Sequence, residues 1–297
     1  MKEEELEAYL TAGKLAAKVR DFLARLVKPN FSLLELCEAG EQIIREQGCE
    51  PAFPINVSIN EIAAHYTANR NEKLVFKDGD LVKIDVGVHF DGYIGDTAIT
   101  VVCGKSSKLK NALIEAANDA LKAAIKLAKP GVDVSRIGEA IERVAKQHGF
   151  KPIANLTGHG IGRFNLHARP QIPNVRTSYH YELKENEVIA IEPFVTNGAG
   201  MIRESEDTRI FALLKGDCQA RGLVARKILN FAKERNGLPF ATRWLNFSEF
   251  QLRVAIRELT SRLCLRGYPV LVEMARGLVA QAEHTVIVGE KPIVTTL

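Results

Sequence analysis

The sequence has no long apolar run and no export signal. None of its segments reaches about 18 consecutive apolar residues, the length that a membrane-spanning helix requires. The first residues, Met1-Lys2-Glu3-Glu4-Glu5, lead directly into an amphipathic helix pattern, whereas a secretory signal would place an apolar stretch there. We therefore expect a soluble protein of the cytoplasm.

Cysteine is scarce, and no two cysteines have the C-x-x-C spacing of a zinc or redox site. An odd number of scattered cysteines fits buried, reduced thiols better than a disulfide framework. The five residues are Cys37, Cys49, Cys103, Cys218 and Cys264. We expect all of them to be structural.

The sequence also lacks any segment typical of disorder. Its 297 residues are 46% hydrophobic and 26% charged, and the formal net charge is +4. A chain of this length and composition can bury a substantial core, arranged in one or two domains.

The clearest positive feature is an internal repeat. Residues 77–85 (KDGDLVKID) match residues 184–192 (KENEVIAIE), 107 positions later. Each copy is a turn followed by an apolar strand pattern, and each ends on an acid, Asp85 or Glu192. Because an isolated buried carboxylate is very costly, the two acids suggest a cation between two related halves.

Weaker matches extend the repeat along the chain. At an offset of 101, Lys28-Pro29 matches Lys129-Pro130 and Gly48 matches Gly149. A third echo, at an offset of 187, pairs residues 96–99 with residues 283–286. The simplest account is a duplicated ancestral half, and each half would supply two acids and one histidine.

The periodic patterns predict helices covering one side of a mostly antiparallel sheet. Glycine after the second and fourth helix suits a left-handed helix end. Helices are predicted over residues 3–27, 32–47, 107–128 and 134–147. Strands are predicted over residues 53–59, 81–89, 93–102, 164–168, 187–195 and 278–288. Helix pairs followed by hairpins, occurring twice, place the chain in the α+β class.

One predicted hairpin can be worked out residue by residue. Asp91-Gly92 is a strong two-residue turn signal, so residue i should pair with residue 183 minus i. Asp96 then lies opposite Gly87, and Asp85 becomes its diagonal neighbour, with Cα atoms roughly 7–8 Å apart. The apolar residues that alternate with these acids should face the core, and Gly87 should leave room beside the acids.

Three further residues complete a candidate metal site. His159 lies in a glycine-flanked loop, residues 158–162, while Glu192 and Glu283 interrupt apolar strands. The set of candidate metal ligands is Asp85, Asp96, His159, Glu192 and Glu283. Four carboxylates and one imidazole are too acidic for a lone structural zinc ion, but they suit two divalent cations that share carboxylates.

Motifs along nearly the whole chain resemble those of type II methionine aminopeptidases. They lie in residues 51–54 (PAFP), 60–67 (NEIAAHYT), 83–87 (KIDVG), 158–159 (GH), 166–168 (LHA), 191–193 (IEP) and 281–285 (QAEHT). The resemblance implies the duplicated pita-bread (creatinase/aminopeptidase) fold with a helical insertion. It also implies removal of the initiator methionine from new polypeptides, with a preference for a small second residue.

The resemblance implies a role for each site residue. Asp85 would chelate one cation, Asp96 and Glu283 would bridge both, and His159 with Glu192 would complete the other. The sequence leaves the native metal open among Co, Mn, Fe, Ni and Zn.

The implied reaction begins with attack of a metal-bridging hydroxide on the first peptide carbonyl. Glu192 would carry the proton to the leaving amine, and His167 would bind the substrate carbonyl or oxyanion. His65 would contact the scissile amide nitrogen. Phe53 would form part of the methionine side-chain pocket.

An insertion separates the acids of the second half. Residues 203–272 hold two helical patterns, near 218–235 and 248–266, between catalytic segments 1–202 and 273–297. This span has 13 Lys and Arg against 7 Asp and Glu. The basic character could dock the enzyme near ribosomal RNA, but it could also be an ordinary solvated helix face. We expect a monomer.

Two alternatives stay open. An Xaa-Pro peptidase of the same fold shares the five ligands, although such enzymes usually carry a separate domain before the fold. A non-catalytic ribosome- or RNA-binding relative would have lost metal ligands, all five of which are present here. Three departures from the family pattern, Arg169, Ala282 and Arg203, could reshape the pocket.

Overall fold

The computed structural model describes residues 1–297, and its first four helices lie where the sequence predicts them. The helices are α1 (Glu3–Leu26), α2 (Leu33–Glu46), α3 (Lys108–Ile125), α4 (Val134–Gln147), α5 (Leu223–Glu234) and α6 (Glu249–Ser261). Side-chain oxygens of Ser32 and Asp133 cap α2 and α4 by accepting hydrogen bonds from backbone N–H groups. Gly48 and Gly149 follow these helices with φ of +73° and +81°, as predicted.

All sixteen strands pair in antiparallel fashion wherever they form ladders. They are β1 (Glu50–Pro51), β2 (Asn56–Ile59), β3 (Ile62–Ala64), β4 (Leu81–Phe90), β5 (Tyr93–Val102), β6 (Lys151–Pro152), β7 (Thr157–Gly162), β8 (Asn165–Pro173), β9 (Val188–Ile191), β10 (Phe194–Thr196), β11 (Ile202–Leu213), β12 (Phe240–Ala241), β13 (Leu265–Glu273), β14 (Val279–Gln281), β15 (Glu283–Ile287) and β16 (Ile293–Val294). The main sheet runs in the order β1-β4-β5-β15-β9-β7-β8, with β2 on β4 and β16 on β15. Strands β5 and β15 therefore form the seam between the halves.

The repeat recognised in the sequence is also a repeat of hydrogen bonds. In the first turn the N–H of Lys77 donates to Oδ2 of Asp80 at 2.8 Å, and in the second the N–H of Lys184 donates to Oε2 of Glu187 at 2.9 Å. The third residue of each turn is left-handed, with φ of +88° and +65°. Corresponding turns thus start β4 and β9 in the same way.

The start of the second helix in each half shows the same correspondence. The capping residue Ser32 pairs with Val75, and the capping residue Asp133 pairs with Glu182. Each bridge ties a helix to the segment that leads into the next repeated turn. The duplication therefore covers helices, turns and strands, in agreement with the predicted pita-bread fold.

The hairpin β4-β5 has the predicted register. Gly87 lies opposite Asp96, and Phe90 lies opposite Tyr93 across the Asp91-Gly92 turn. The prediction for Gly87 requires one refinement, because the space beside it is filled. A Cβ atom on Gly87 would overlap the ring of Phe53, so the glycine is needed for that ring to lie against the strand.

The helices cover one face of the sheet, and each half has its own core. Ile84, Val86 and Val88 are fully buried against α1 and α2 in the first core. The second core joins α3 and α4 to strands such as β9 through Ile189 and Ile191. Since strand side chains alternate between faces, the acids next to these residues point to the other face.

Three strand predictions need correction. Residues 158–162, predicted as a loop, belong to β7, which pairs with both β8 and β9. The strand predicted over 187–195 breaks at Glu192-Pro193, so Glu192 follows β9 rather than lying within a strand. Proline lacks the N–H that a ladder needs, and the chain leaves the main sheet there. The strand predicted over 278–288 breaks at Ala282, opposite that point.

The segment predicted as an insertion is built from β11, α5, β12, α6 and β13. Its strands form a separate sheet in the order β12-β11-β13-β3, so β3 of the first half joins it. The two helices lie within the predicted helical patterns and bury their apolar faces against this sheet. We propose that segments 1–202 and 273–297 form the catalytic domain and that residues 203–272 form the insertion.

One cysteine prediction is wrong. Cys218 and Cys264 form a disulfide with Cα atoms 5.5 Å apart, whereas only Cys37, Cys49 and Cys103 are free, buried thiols. The two partners are 46 residues apart in sequence and meet only because α5 and α6 fold back on β13. Odd cysteine number and spacing cannot reveal such a contact. Among the helices, none is long and apolar enough to cross a bilayer.

Candidate metal centre

One cavity at the seam brings together all eight residues that the sequence singled out. It lies on the face of the main sheet opposite the helices. The hairpins β4-β5 and β7-β8 and the strands β15 and β13 all contribute residues to it. Its lining residues are Phe53, Asn56, Ala64, His65, Asp85, Asp96, His159, Leu166, His167, Glu192, Ile210, Pro239, Tyr268 and Glu283. The three departures from the family pattern, Arg169, Ala282 and Arg203, do not line this cavity. Ala282 is buried in the second core, while Arg169 and Arg203 are exposed.

The innermost acids come from the two central strands of the main sheet. Asp96 on β5 and Glu283 on β15 are 3% and 2% exposed, which leaves both carboxylates almost without solvent. Backbone and side-chain hydrogen bonds lock the two strands together at this point. The N–H of Asp96 donates to the hydroxyl of Thr285 at 2.8 Å, and that hydroxyl donates to the carbonyl of Asp96.

The candidate ligands converge closely enough to share a cation. Ligand atoms of Asp96, His159 and Glu283 all lie within 4.8 Å of one another. Nε2 of His159 is 3.7 Å from Oδ2 of Asp96 and 3.9 Å from Oε1 of Glu192. Asp85 lines the same cavity, one strand away from Asp96.

Burial disfavours the charged form of all four carboxylates, and repulsion from neighbouring acids adds to this effect at three of them. Burial raises the pKa of Asp85 to about 7. It raises the pKa values of Asp96, Glu192 and Glu283 well above the ordinary range, and repulsion from the neighbouring acids raises them further. A site of this kind is stabilised as a set of anions only by bound cations.

Unpartnered oxygens show that the residues fit metal ions. Oδ1 of Asp85 and Oδ1 of Asp96 are buried without any hydrogen-bond donor, although buried polar atoms are otherwise nearly always paired. Carboxylate oxygen and imidazole nitrogen are the donors that divalent transition metals accept. A cation between these acids would satisfy both orphan oxygens and offset the repulsion.

His159 is held in the form that a metal ligand needs. Its Nδ1 lies 3.1 Å from the carbonyl oxygen of Gly160, which can only accept, so Nδ1 carries the proton. The Nε2 lone pair then faces Asp96 and Glu192. Burial lowers the pKa of His159 to about 4, which keeps the ring neutral. The flanking glycines are required because a Cβ at Gly158 would lie 2.3 Å from the carbonyl oxygen of Ala190.

Gln281 is a site residue that the sequence did not single out. Its side-chain amide donates to Oε2 of Glu192 and to Oε2 of Glu283, each at 3.3 Å. Its backbone N–H is held by the hydroxyl of Thr100 on β5 at 2.8 Å. Gln281 therefore orients two candidate ligands at once. It stands in the 281–285 motif, but a lone glutamine carries no spacing signal.

The two remaining cavity histidines differ in exposure and backbone conformation. His65 follows β3 with a left-handed φ of +65°, which is uncommon for a residue other than glycine. Burial lowers its pKa to about 4. His167 lies at the open side of the cavity, and its ring centroid is 4.5 Å from that of His159. Loss of hydration, together with nearby histidines, lowers the pKa of His167 well below its usual value.

An apolar wall lies beside these polar groups. Phe53 is 5% exposed and packs on Gly87 next to Asp85, while Leu166 and Ile210 line other parts of the cavity. The cavity thus joins a cluster of acids, three neutral imidazoles and a small apolar surface. Such a site can bind divalent cations and a short peptide end, and it can polarise a peptide carbonyl so that water cleaves the adjoining C–N bond.

Comparison with known proteins gives a consistent result. The sequence model of metallopeptidase family M24 matches residues 7–213. A methionine aminopeptidase from Pyrococcus abyssi is 46% identical over 296 residues, covering 98% of this chain and 99% of that protein. Another methionine aminopeptidase, from Methanocaldococcus jannaschii, is 43% identical and covers 100% of this chain and 99% of that protein.

A solved structure supports the same relationship. The crystal structure of methionine aminopeptidase from Rickettsia prowazekii superposes with a TM-score of 0.74 at 27% identity, covering 100% of this chain and 98% of that chain.

Proposed function

The chain belongs to metallopeptidase family M24 and, within it, to the methionine aminopeptidases, and from this premise we propose how its residues remove the N-terminal methionine of polypeptides. The enzyme is a metal-dependent hydrolase. The observation that carries the proposal is one cavity in which four carboxylates, two of them buried, and one buried imidazole lie beside an apolar wall.

We assign the metal to the five converging residues. Asp85, Asp96, His159, Glu192 and Glu283 would hold two divalent cations, because four carboxylate charges offset two dications. When bound, the cations supply Lewis acidity and lower the pKa of water to near neutrality. Cobalt, manganese, iron, nickel and zinc all accept this donor set.

Glu192 is the residue that we propose to carry the proton to the leaving amine. It sits at the break after β9, where its backbone is not part of a ladder, and its side chain is 14% exposed to the cavity. The amide of Gln281 donates to Oε2, while Oε1 lies 3.9 Å from Nε2 of His159 and faces the cavity, where it would accept and release the proton.

The remaining cavity residues bind and orient the substrate. His167 would donate a hydrogen bond to the carbonyl of the first residue, and His65 would contact the nitrogen of the scissile bond. Phe53 would receive the methionine side chain, since thioether sulfur packs favourably against an aromatic ring. We also propose a preference for a small second residue.

The partner is the N-terminus of a nascent polypeptide. We propose that the enzyme works as a monomer in the cytoplasm and that its basic insertion approaches the ribosome. Arg253 and Arg257 are exposed on α6, and Arg70 lines the same groove, so this face could contact phosphate groups. Cosedimentation with ribosomes should weaken as salt rises, and an R253E/R257E variant should lose it. Salt-independent cosedimentation would contradict this role.

The activity is tested with two peptides in the presence and absence of chelator. We expect cleavage of Met-Ala-Ser to release methionine, to stop after dialysis against chelator and to return when divalent metal is added. Cleavage of only an Xaa-Pro peptide would support an Xaa-Pro peptidase instead. Tight RNA binding without uptake of divalent metal would support the non-catalytic alternative.

A further inference from the structure

Strand β13 contributes three residues that contact both cavity histidines outside the candidate ligand set. Nη2 of Arg266 and Oη of Tyr268 each lie 3.4 Å from Nδ1 of His167. The carbonyl oxygen of Pro269, next along the strand, lies 3.2 Å from Nδ1 of His65. One strand therefore binds the same ring position of both histidines, but with groups of opposite hydrogen-bonding character.

The contacts at His167 determine which of its nitrogens carries the proton. An arginine side chain has only donors, so Nδ1 of His167 must be the acceptor. The hydroxyl of Tyr268 accepts from Nε of Arg266 at 3.0 Å, which leaves its own proton for Nδ1 of His167. In the neutral ring the proton is then on Nε2. The guanidinium also stacks on the Tyr268 ring, 4.6 Å from its centroid, which holds both groups in place.

The contact at His65 selects the other tautomer. A backbone carbonyl only accepts, so Nδ1 of His65 must donate. The neutral ring then has its lone pair on Nε2. The left-handed backbone at His65 and an edge-to-face contact with Tyr268, at 5.4 Å between centroids, fix this ring beside β13.

We propose that Arg266 and Tyr268 are positioning residues that hold His167 as the Nε2–H tautomer, while the Pro269 carbonyl holds His65 as the Nδ1–H tautomer. The cavity then offers one hydrogen-bond donor and one acceptor on neighbouring rings. A peptide group has the complementary pair, because its carbonyl accepts and its N–H donates.

This arrangement rests on the proposed function, since it gives the two histidines their places around the scissile bond. His167 would meet the carbonyl with its N–H, and His65 would meet the amide N–H with its lone pair. Swapped tautomers would set an acceptor against the carbonyl and a donor against the amide. Strand β13 of the insertion thereby orients the substrate, because it determines which ring nitrogen of His65 and of His167 carries the proton.

The tautomers can be measured without metal or substrate. Protein with ¹⁵N-labelled histidine gives long-range ¹H–¹⁵N correlations that distinguish the two neutral tautomers. The spectra of His65→Gln and His167→Gln assign the two rings. We expect opposite tautomers in the parent protein. Two rings in the same tautomer would overturn the proposal.

A double variant, Arg266→Met with Tyr268→Phe, removes both donors to Nδ1 of His167. We expect the His167 signals to shift toward a mixture of tautomers, while His65 keeps its tautomer because the Pro269 carbonyl is unchanged. Arg262→Met, at an exposed arginine nearby, is the matched control and should leave both rings unaltered. An unchanged His167 in the double variant would contradict the assignment.

Kinetics of the metal-loaded enzyme provide an independent readout. The double variant should lose roughly 10- to 100-fold in kcat with little change in the KM for Met-Ala-Ser, because a misoriented catalytic group costs about this much. Equal loss in a folded Arg262→Met control would point to a general structural effect and would contradict the positioning role. If the parent protein fails to cleave the peptide, the proposed function fails, but the tautomer measurement still decides the inference.

Discussion

Asp96 and Glu283 are equivalent residues of the two halves, and each would bridge cations from the seam of the sheet. Oδ1 of Asp96 is buried without a donor, whereas Oε2 of Glu283 accepts a hydrogen bond from the amide of Gln281. Replacing either carboxylate by an amide keeps the shape but removes one negative charge from the ligand set. The amide nitrogen also presents donors toward the metal.

Asp96→Asn and Glu283→Gln should therefore each lose methionine release by more than about 100-fold, since altering even a supporting contact costs 10- to 100-fold. Metal content after gentle purification should fall with the activity. Glu115→Gln, at an exposed residue of α3, is the matched control and should keep both. Full metal content in the Asp96→Asn protein would contradict the bridging role.

Another residue-scale prediction concerns His89, at the end of β4. Burial and the nearby Arg235 lower its pKa to about 4, and its Nδ1 accepts a hydrogen bond from the N–H of Gly92 at 3.3 Å. The pKa in the unfolded chain is about 6.5. The folded protein binds fewer protons between these values, so stability falls as pH drops from 6.5 to 4.

We expect the parent protein to lose about 1 kcal/mol more stability than His89→Gln over this range, after allowance for partial exposure. Urea unfolding of both proteins at pH 7, 5.5 and 4 measures the difference. Glutamine keeps an acceptor for the turn but does not titrate. Parallel pH curves for the two proteins would show that His89 is not the group responsible.

The eight residues that the sequence singles out line one cavity, and contacts between side chains explain the residues that it missed. The four acids and His159 stand out by residue type and position, whereas the resemblance to type II methionine aminopeptidases supplied His65 and His167. Gln281 and Tyr268 act by touching those residues, and that contact exists only after β14 and β13 fold over the seam. No pattern within a single sequence marks such residues.

At the scale of elements, helix α1 lies unusually close to strand β5. A Cβ atom on Gly95 would come within 2.5 Å of Cα of Gly13, so two glycines meet backbone to backbone. This contact places α1 directly behind the strand that carries Asp96. The neighbouring strand pair and helix therefore act as one packed unit.

Gly95→Ala should force α1 and β5 apart and destabilise the protein by about 1–3 kcal/mol, the range typical of overpacking. Gly216→Ala, where an added Cβ meets no atom within 4 Å, should change stability by less than about 0.5 kcal/mol. Thermal unfolding of the metal-free proteins compares them. A Gly95→Ala protein as stable as the parent would disprove the close contact.

Two elements show where local sequence is enough to predict the structure and where it is not. The Asp91-Gly92 turn fixed the register of β4-β5 because a two-residue turn leaves one pairing. The 158–162 segment was predicted as a loop because it is rich in glycine, but those glycines admit β8 and β9 at close range, and the segment is a strand. Long-range packing, rather than local preference, decided that element.

At the scale of the whole molecule, the site joins two halves that are otherwise separate in their cores. The first core packs around α1 and α2 and the second around α3 and α4, and β5 and β15 join them across the seam. The backbone ladder between these two strands is short, pairing Glu283 with Ala98 and His284 with Thr97, and side-chain hydrogen bonds of Thr97 and Thr285 supplement it. Four carboxylates that repel one another line the cavity at this seam. Their repulsion weakens the seam unless cations bind.

Divalent metal should therefore stabilise the seam more than the rest of the chain. At a free concentration 100 times its Kd, a metal bound only to the folded state adds about 2.7 kcal/mol. Hydrogen exchange should slow most in β5, β9 and β15, while amides of α6, which has its own core in the insertion, should exchange at the same rate with and without metal. Uniform protection across both regions would mean that metal acts on global unfolding alone, and the seam would then not be the weak point of the fold.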